Sequence, residues 1–487
     1  MDGIWGSGRE GHAAADYLDS SGPHGMSHSS PPGSSVAMII ADENAGASAE
    51  GFPPGASFFA GPEALPHLLD ASRVILSPGV PGVHPFRRAL SEAGIPLTSG
   101  TDLWMQGHRD QAIGVTGTKG KSTTSSLITA ILNRCGLPTR TAGNIGTPLL
   151  GLPEYDGTTV VELSSYQCHS LTVSPRVSVI VNLYQEHLTW HGGLEEYWRD
   201  KCRIFTQGAD VLVADCETLD VIVVLGVLVR EGSGYRLGLG FCDSAQNDGD
   251  GGCGADSGCD PDDGCDGGNR RNDGGTLRVV TPTEETRTLV ARAIASVPSE
   301  SLPRLFASGP GAHNLTLAVC AAQAWGVEVS EDILVDVIST FESLPHRLAF
   351  VGHVGGLDWY DDTLSTAPES VIAALDSFPE RAVVLIAGGQ SRGVDYNNLG
   401  RFLTTLPAGR LPLVVTIPSN GPEVIASFAD GSRVQHASSL SDAVRLIADR
   451  APSGSVVLLS PGAPSYDLYA NFEQKSAEYI RLVTELE

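Results

Sequence analysis

An α/β protein of three modules in series, each organised around a parallel sheet, is what this sequence predicts, and three observations predict it. Short, nearly continuous apolar segments recur along the chain, as strands covered on both faces do. Glycine-rich loops and helix-like patterns follow many of them, the alternation of a doubly wound sheet. The 487 residues also exceed what one hydrophobic core usually organises, so two or three domains are expected.

The first module starts with a strand at Met1–Ile4, the glycines Gly6, Gly8 and Gly11, and an alanine-rich helix. Such a glycine string serves a dinucleotide loop or a plain tight turn equally well. Strands at 36–42 and 73–81 and a helix at 85–94 complete it. From about Gln111 to Pro303 the alternation continues, with strands at 112–117, 158–164, 177–183 and 210–215 and a helix at 195–205. Within this stretch 242–275 is rich in Asp and Gly and almost free of aliphatic side chains, so it cannot bury enough surface to order itself. Its Cys253, Cys259 and Cys265 recur every six residues, which is not a zinc spacing. A third set begins near Ser308, with a helix at 313–326 and a hairpin pattern at 346–362. Strands at 382–389, 411–417 and 455–462 follow. Active sites of such modules form at the C-terminal ends of the strands.

Charge and composition exclude several classes. A formal net charge of −26 leaves no basic field to collect nucleic-acid phosphates. No run of eighteen apolar residues suggests a membrane span, and the N-terminus lacks the basic-then-apolar build of a secretory signal. A cytoplasmic protein is therefore expected, with most of its nine cysteines as buried or incidental thiols.

The chemistry concentrates at Gly117-Thr118-Lys119-Gly120-Lys121-Ser122-Thr123, between an apolar strand and a helix. Backbone N–H groups and a helix N-terminus there would cradle a nucleotide phosphate. Lys121 would reach the terminal phosphates, and Ser122 or Thr123 would offer a hydroxyl to Mg²⁺. The Gly114-to-Gly120 spacing is one residue off the usual phosphate loop. Further polar groups stand at strand ends. Glu162 could hold a metal ion beside phosphate; His187, Lys201, Arg347 and the break at 361–370 are the others.

Together these residues resemble the Mur ligases, ATP-dependent amide-bond-forming enzymes of bacterial cell-wall synthesis. The matching motifs run in family order through nearly the whole chain outside the Asp/Gly segment. They are Gly-Thr-Lys-Gly-Lys-Ser (117–122), Ala-Gly-Asn-Ile-Gly (142–146), Glu-Leu-Ser-Ser-Tyr-Gln (162–167) and Glu-His-Leu (186–188). Lys201, His-Asn (313–314), Pro-His-Arg (345–347), Gly-Gly (388–389) and Ser-Pro-Gly-Ala-Pro-Ser (460–465) follow. The 162–167 motif and Asn-Phe-Glu (471–473) are most similar to the UDP-N-acetylmuramoyl-alanine–glutamate ligase branch.

The resemblance implies a Rossmann-like domain over 1–108 for the UDP-linked substrate and a central ATPase-type parallel sheet with flanking helices over 109–305, carrying the 242–275 insertion. It further implies a doubly wound, Rossmann-like domain over 306–487 for the amino acid. Residues 117–123, Asn314, Arg347 and Asp362 would hold ATP, with the third domain contributing Arg347 and Asp362 on closure. Two Mg²⁺ ions would be held by Ser122, Glu162, His187 and a carbamylated Lys201. Lys121, Glu162, His187, Lys201 and Arg347 would form the catalytic set. Asn144, Ser164, Gln167 and His187 would face UDP-N-acetylmuramoyl-L-alanine, and Thr366, Arg392, Ser465 and Phe472 the incoming glutamate. A monomer is implied.

Departures from the family pattern fall in the amino-acid site. D-glutamate-adding members read Asp-Ser-Lys-Ala-Thr-Asn where this chain has Asp362-Thr363-Leu364-Ser365-Thr366-Ala367, so Leu364 removes a cation near the glutamate carboxylate. Arg392 keeps a cation where lysine is usual, and Leu317 replaces an asparagine near adenine. This pattern is most similar to a subfamily that adds L-glutamate and relies on a partner epimerase. The same ligation with D-glutamate is the alternative. A non-catalytic Mur-like protein would have no need to keep Lys121, Glu162, His187, Lys201 and Arg347 together.

Overall fold

Five short strands form the first sheet: β1 Asp2–Trp5, β2 Met38–Asp42, β3 Ala56–Ala60, β4 Arg73–Leu76 and β5 Leu97–Ser99. They pair in parallel in the order β3-β2-β1-β4-β5. Ile4, Met38, Ile40 and Ile75 pack on one face with the helix Arg9–Asp19, and Trp5, Leu68, Val74 and Leu76 pack on the other. β3 and β5 went unrecognised in the sequence. β3 is half exposed along its length and β5 has three residues, so neither shows a continuous apolar run.

The computed structural model describes residues 1–20, 37–144, 147–186, 188–231, 234–238, 277–298, 302–307, 309–342, 345–391, 394–465 and 468–486. The insertion expected at 242–275 lies outside them.

The second sheet comprises β6 Ala112–Thr116, β7 Thr139–Gly143, β8 Thr158–Glu162, β9 Val177–Ile180 and β10 Val211–Val213. A small antiparallel hairpin, β11 Leu228–Glu231 with β12 Gly234–Leu237, precedes its last strand, β13 Arg278–Val280. All six strands are parallel, in the order β13-β10-β9-β6-β8-β7. Every residue of β6, β8 and β9 is buried, which explains their mainly apolar sequences, although β8 also buries Thr158, Thr159 and Glu162. Because β8 and β9 flank β6, the loops at their C-terminal ends meet, as at the switch point of a doubly wound sheet.

The third sheet contains β14 Ala349–Val354, β15 Leu357–Asp361, β16 Val383–Ala387, β17 Leu413–Thr416, β18 Val434–His436 and β19 Val456–Leu459. Its order is β14-β15-β19-β16-β17-β18, parallel except for the β14–β15 hairpin read from the sequence. Two apolar layers cover it, one built around Phe378 and Leu399, the other around Trp359 and Tyr479.

The chain divides into two compact units: 1–290 with 314–333, and 291–313 with 334–487. Inside the first unit, Asp102 ties the helix Gly100–His108 to the loop before β9. It is 1% exposed, and its Oδ1 accepts from the Thr172 backbone N–H at 2.7 Å and the Thr172 hydroxyl at 2.9 Å. Its Oδ2 accepts from Gln106 Nε2 at 3.0 Å and Thr98 Oγ1 at 3.2 Å. Removing a buried acceptor strands each of its donors. Asp102→Ala should therefore cost about 2–3 kcal/mol in chemical denaturation, and a loss under about 0.5 kcal/mol would show these bonds to be incidental.

Candidate active site

β6 ends at Thr116, and the chain turns through Gly117-Thr118-Lys119-Gly120 into the helix Lys121–Arg134. Two glycines permit that turn. Gly117 has φ +150° and Gly120 φ +81°, conformations that L side chains rarely adopt. A Cβ on Gly120 would also lie 2.7 Å from Asn314 Oδ1, so Asn314 stands against the loop. Asn182, just beyond β9, clamps the loop: its Oδ1 accepts from the Lys119 N–H at 2.8 Å, and its Nδ2 donates to the Lys119 carbonyl at 3.0 Å. The Thr118 N–H donates to the Asn182 carbonyl at 3.0 Å, and the Thr118 hydroxyl shares a hydrogen bond with the Tyr197 hydroxyl at 3.1 Å.

Four cationic or anionic side chains attach to this loop. Lys121 Nζ donates to the Gly117 and Thr118 carbonyls at 3.0 and 3.1 Å, curled back over its own turn. Lys119 pairs with Glu186 at 2.8 Å. Lys201, on the helix Leu194–Thr206, is 2% exposed and donates to the Gly117 carbonyl at 2.8 Å. Burial, reinforced by the nearby charge of Lys121, pulls the Lys201 ammonium down to about 7, so near neutral pH ammonium and free amine are both substantially populated.

Glu162 ends β8, the strand beside the loop, and is 1% exposed. Its Oε1 accepts from Asn144 Nδ2 at 2.7 Å, while Oε2 is buried with no hydrogen-bond partner. A buried carboxylate oxygen without a donor is what a hard cation would satisfy. Among the described residues no cluster of three His, Cys, Asp or Glu assembles. Magnesium beside phosphate needs only one or two carboxylates, so the unpartnered oxygen of Glu162 fits it. Ser164 caps the short helix Ser165–His169 through a reciprocal bond with Gln167, and Gln167 Nε2 donates to Thr101 Oγ1 at 3.3 Å. The first unit thus gathers 117–123, Asn144, Glu162, Ser164, Gln167, Lys201 and Asn314 around the C-terminal ends of β6, β7, β8 and β9. His187 lies outside the described residues.

In the second unit, the candidate residues stand at the C-terminal ends of β15, β16 and β19. Asp362 is 3% exposed; burial pushes its carboxyl up to about 6 against the opposing hydrogen bonds of Ser365 and Ser460 and the charge of Arg347. Ser460 Oγ donates to it at 2.6 Å. Arg347 stands between two left-handed residues, His346 at φ 65° and Leu348 at φ 46°, and its Nε is buried without a partner. Backbone strain of this kind persists only when surroundings enforce it. Here His346 Nδ1 lies 2.8 Å from both Asp361 Oδ2 and Ser476 Oγ. The Leu364 N–H donates to the His346 carbonyl at 3.2 Å, and the Phe472 ring meets His346 edge-on at 5.5 Å. Ser465 is 2% exposed with an unpartnered hydroxyl, and Thr366 is half-buried. Arg392 lies outside the described residues.

Sequence reading missed Asn182, which looks like any polar strand terminus, and Lys475, which has a helical-surface spacing. Lys475 is nevertheless 1% exposed and donates to the Gly388 carbonyl at 2.9 Å. Leu317, set against the adenine in the motif comparison, is fully buried core on the helix Gly309–Trp325.

A strand–loop–helix with glycines in left-handed turns, bordered by a buried carboxylate and a buried amine, defines a phosphate-handling α/β protein. Residues 115–222 match the Mur ligase middle domain and residues 346–462 the Mur ligase, glutamate ligase domain. The UDP-N-acetylmuramoyl-L-alanine–L-glutamate ligase of a Micromonospora species is 34% identical over 488 residues, covering 99% of this chain and 95% of the relative. The UDP-N-acetylmuramoylalanine–D-glutamate ligase of Pelodictyon phaeoclathratiforme is 32% identical and covers 86% of each chain. Among solved structures, the UDP-N-acetylmuramate–alanine ligase of Thermotoga maritima superposes with TM-score 0.53 at 14% identity over 100% of both chains, a likeness of fold. The chain belongs to the Mur ligase family.

The depressed Lys201 pKa sets a sign for stability. Below about pH 7 folded and unfolded chains both hold the proton, and the burial penalty is complete. Between about 7 and the ordinary value of 10.5 only the unfolded chain holds it, so stability rises with pH across that window. Lys201→Met should melt above the parent protein near about pH 6 in bicarbonate-free, magnesium-free buffer, with the difference shrinking by about pH 9. A difference that is constant with pH would contradict the buried-amine assignment.

Proposed function

We propose that the protein is an ATP-dependent ligase of peptidoglycan precursor synthesis that joins L-glutamate to UDP-N-acetylmuramoyl-L-alanine. The observation that carries this is the phosphate loop with buried Glu162 and Lys201 against it, in a chain whose full-length relatives carry that name. A related fold, the MurF ligase of Thermotoga maritima, was solved in complex with ADP. The division of labour proposed is 1–108 for the UDP-linked substrate, 109–305 for ATP and 306–487 for the amino acid.

Carboxylates are poor electrophiles, so activation precedes amide formation. An oxygen of the alanine carboxylate attacks the γ-phosphorus, the bond to the β-phosphate oxygen breaks, and ADP leaves behind an acyl-phosphate. The glutamate amine, having lost one proton to solvent, attacks the acyl carbon. The tetrahedral intermediate expels phosphate, which carries away a second proton from the nitrogen. The backbone N–H groups of 117–120 and the Lys121 ammonium bind and orient the phosphates, with Thr123, Asn314, Arg347 and Asp362 completing the nucleotide's contacts. Magnesium, when bound, supplies charge neutralisation on the phosphoryl group, and Ser122, Glu162, His187 and Lys201 are the residues to hold it.

A free amine at Lys201 can add to carbon dioxide, forming a carbamate with release of one proton. That turns a buried neutral amine into an anion suited to magnesium, and the low pKa of Lys201 supports the assignment. Asn144, Ser164, Gln167 and His187 would face the muramoyl-alanine, and Thr366, Arg392, Ser465 and Phe472 the glutamate. With Leu364 in place of a lysine, the amino-acid site lacks one cation of the D-glutamate pattern, which favours the L enantiomer. The product would then need a partner epimerase.

Purified protein given UDP-N-acetylmuramoyl-L-alanine, ATP, Mg²⁺ and each glutamate enantiomer should release ADP and phosphate much faster with L-glutamate. Faster turnover with D-glutamate would overturn the enantiomer assignment, and none with either would overturn the ligase. Lys121→Ala should lower kcat by at least about a hundredfold, the scale of losing one preorganised charge contact in a transition state.

A further inference from the structure

Beside the proposed site lies a partly buried polar chain that none of its assigned roles uses. His191 has no exposed side-chain surface. Its Nδ1 stands 2.6 Å from Asp200 Oδ2 and its Nε2 3.0 Å from Ser165 Oγ. The other oxygen of Asp200 meets His169 Nδ1 at 2.8 Å. Each Asp200 oxygen thus accepts from one imidazole ring, Oδ1 from His169 and Oδ2 from His191.

Its members sit on three segments, with Ser165 and His169 at the two ends of one short helix. Ser165 opens the helix whose cap is Ser164 and whose third residue is Gln167. Asp200 immediately precedes Lys201 on the helix Leu194–Thr206. His169 lies under the loop after β4: a Cβ on Gly82 would be 3.3 Å from its ring and 3.3 Å from Trp190. The chain therefore joins the C-terminal edge of the first sheet to that of the second. A substrate with its nucleotide on one and its alanine carboxylate at the other must span this junction.

We propose that His191 and Asp200 are positioning residues for the muramoyl substrate, holding Ser165 and the Ser164–Gln167 turn in register with the helix that carries Lys201. The proposal rests on the substrate assigned above. A serine, a histidine and an aspartate in this connectivity also suggest a hydrolase triad. Ser165, however, is 3% exposed within the first turn of a helix, which suits holding rather than attack.

Steady-state kinetics on the full chain test this. Turnover by the parent protein checks the ligase assignment first, and its absence would indict that assignment alone. Given turnover, His191→Ala should raise KM for UDP-N-acetylmuramoyl-L-alanine about tenfold, the loss of one buried hydrogen-bonded contact, with KM for ATP and glutamate within about twofold. His191→Gln, which can still reach Ser165, should recover most of the loss. Should His191→Ala not fold, Ser165→Ala removes only the hydroxyl and must give the same selective rise. An unchanged muramoyl KM, an equal rise in all three, or labelling of Ser165 by a fluorophosphonate would overturn the proposal.

Discussion

The phosphate loop of the middle sheet is anchored by one buried contact: the Lys201 Nζ donating to the Gly117 carbonyl. It fixes the start of the phosphate loop from below, while Asn182 and Thr118 fix it from the side. Holding an amine there is costly, since burial disfavours its charged form. A lysine merely filling space could be leucine or methionine at lower cost. The position therefore makes sense when the amine is used, and the proposed carbamate would turn the burden into a ligand. Placing Glu162 on the adjacent strand follows from the β9-β6-β8 order, which sets the three strand ends side by side.

The second unit repeats the principle with different residues. Strand ends of β15, β19 and β16 bring Asp361 and Asp362, the Ser460–Ser465 loop and the Gly388–Gly389 turn together. Two left-handed residues around Arg347 are held by the His346–Asp361–Ser476 bonds. Because the Leu364 amide donates to the His346 carbonyl, the segment that departs from the D-glutamate pattern is anchored to the segment carrying Arg347. A change of amino-acid pocket can thus leave the arginine's backbone in place.

Much of this was legible in the sequence. Strands β6, β8, β9, β16 and β19 are buried on both faces, and their mainly apolar runs said so, continuous in β16 and β19. The glycines at 117 and 120 announced a turn that other residues cannot make. The edge strands β3, β7, β13 and β18 stayed hidden because partial burial, a glycine, or a three-residue length removes the periodic signal. Residues acting through tertiary contacts were invisible for a different reason. Asn182, Lys475, His191 and Asp200 gain their meaning from partners distant in sequence, such as Lys119 for Asn182 and Gly388 for Lys475. His187 and Arg392, which the motifs placed in the site, lie outside the described residues.

The central claim is that the alanine carboxylate is activated by phosphorylation over the 117–123 loop. Heavy oxygen placed in both carboxylate positions of UDP-N-acetylmuramoyl-L-alanine tests it directly. An acyl-phosphate route delivers one labelled oxygen to the released phosphate and leaves one in the new amide. Phosphate released without label would contradict the account.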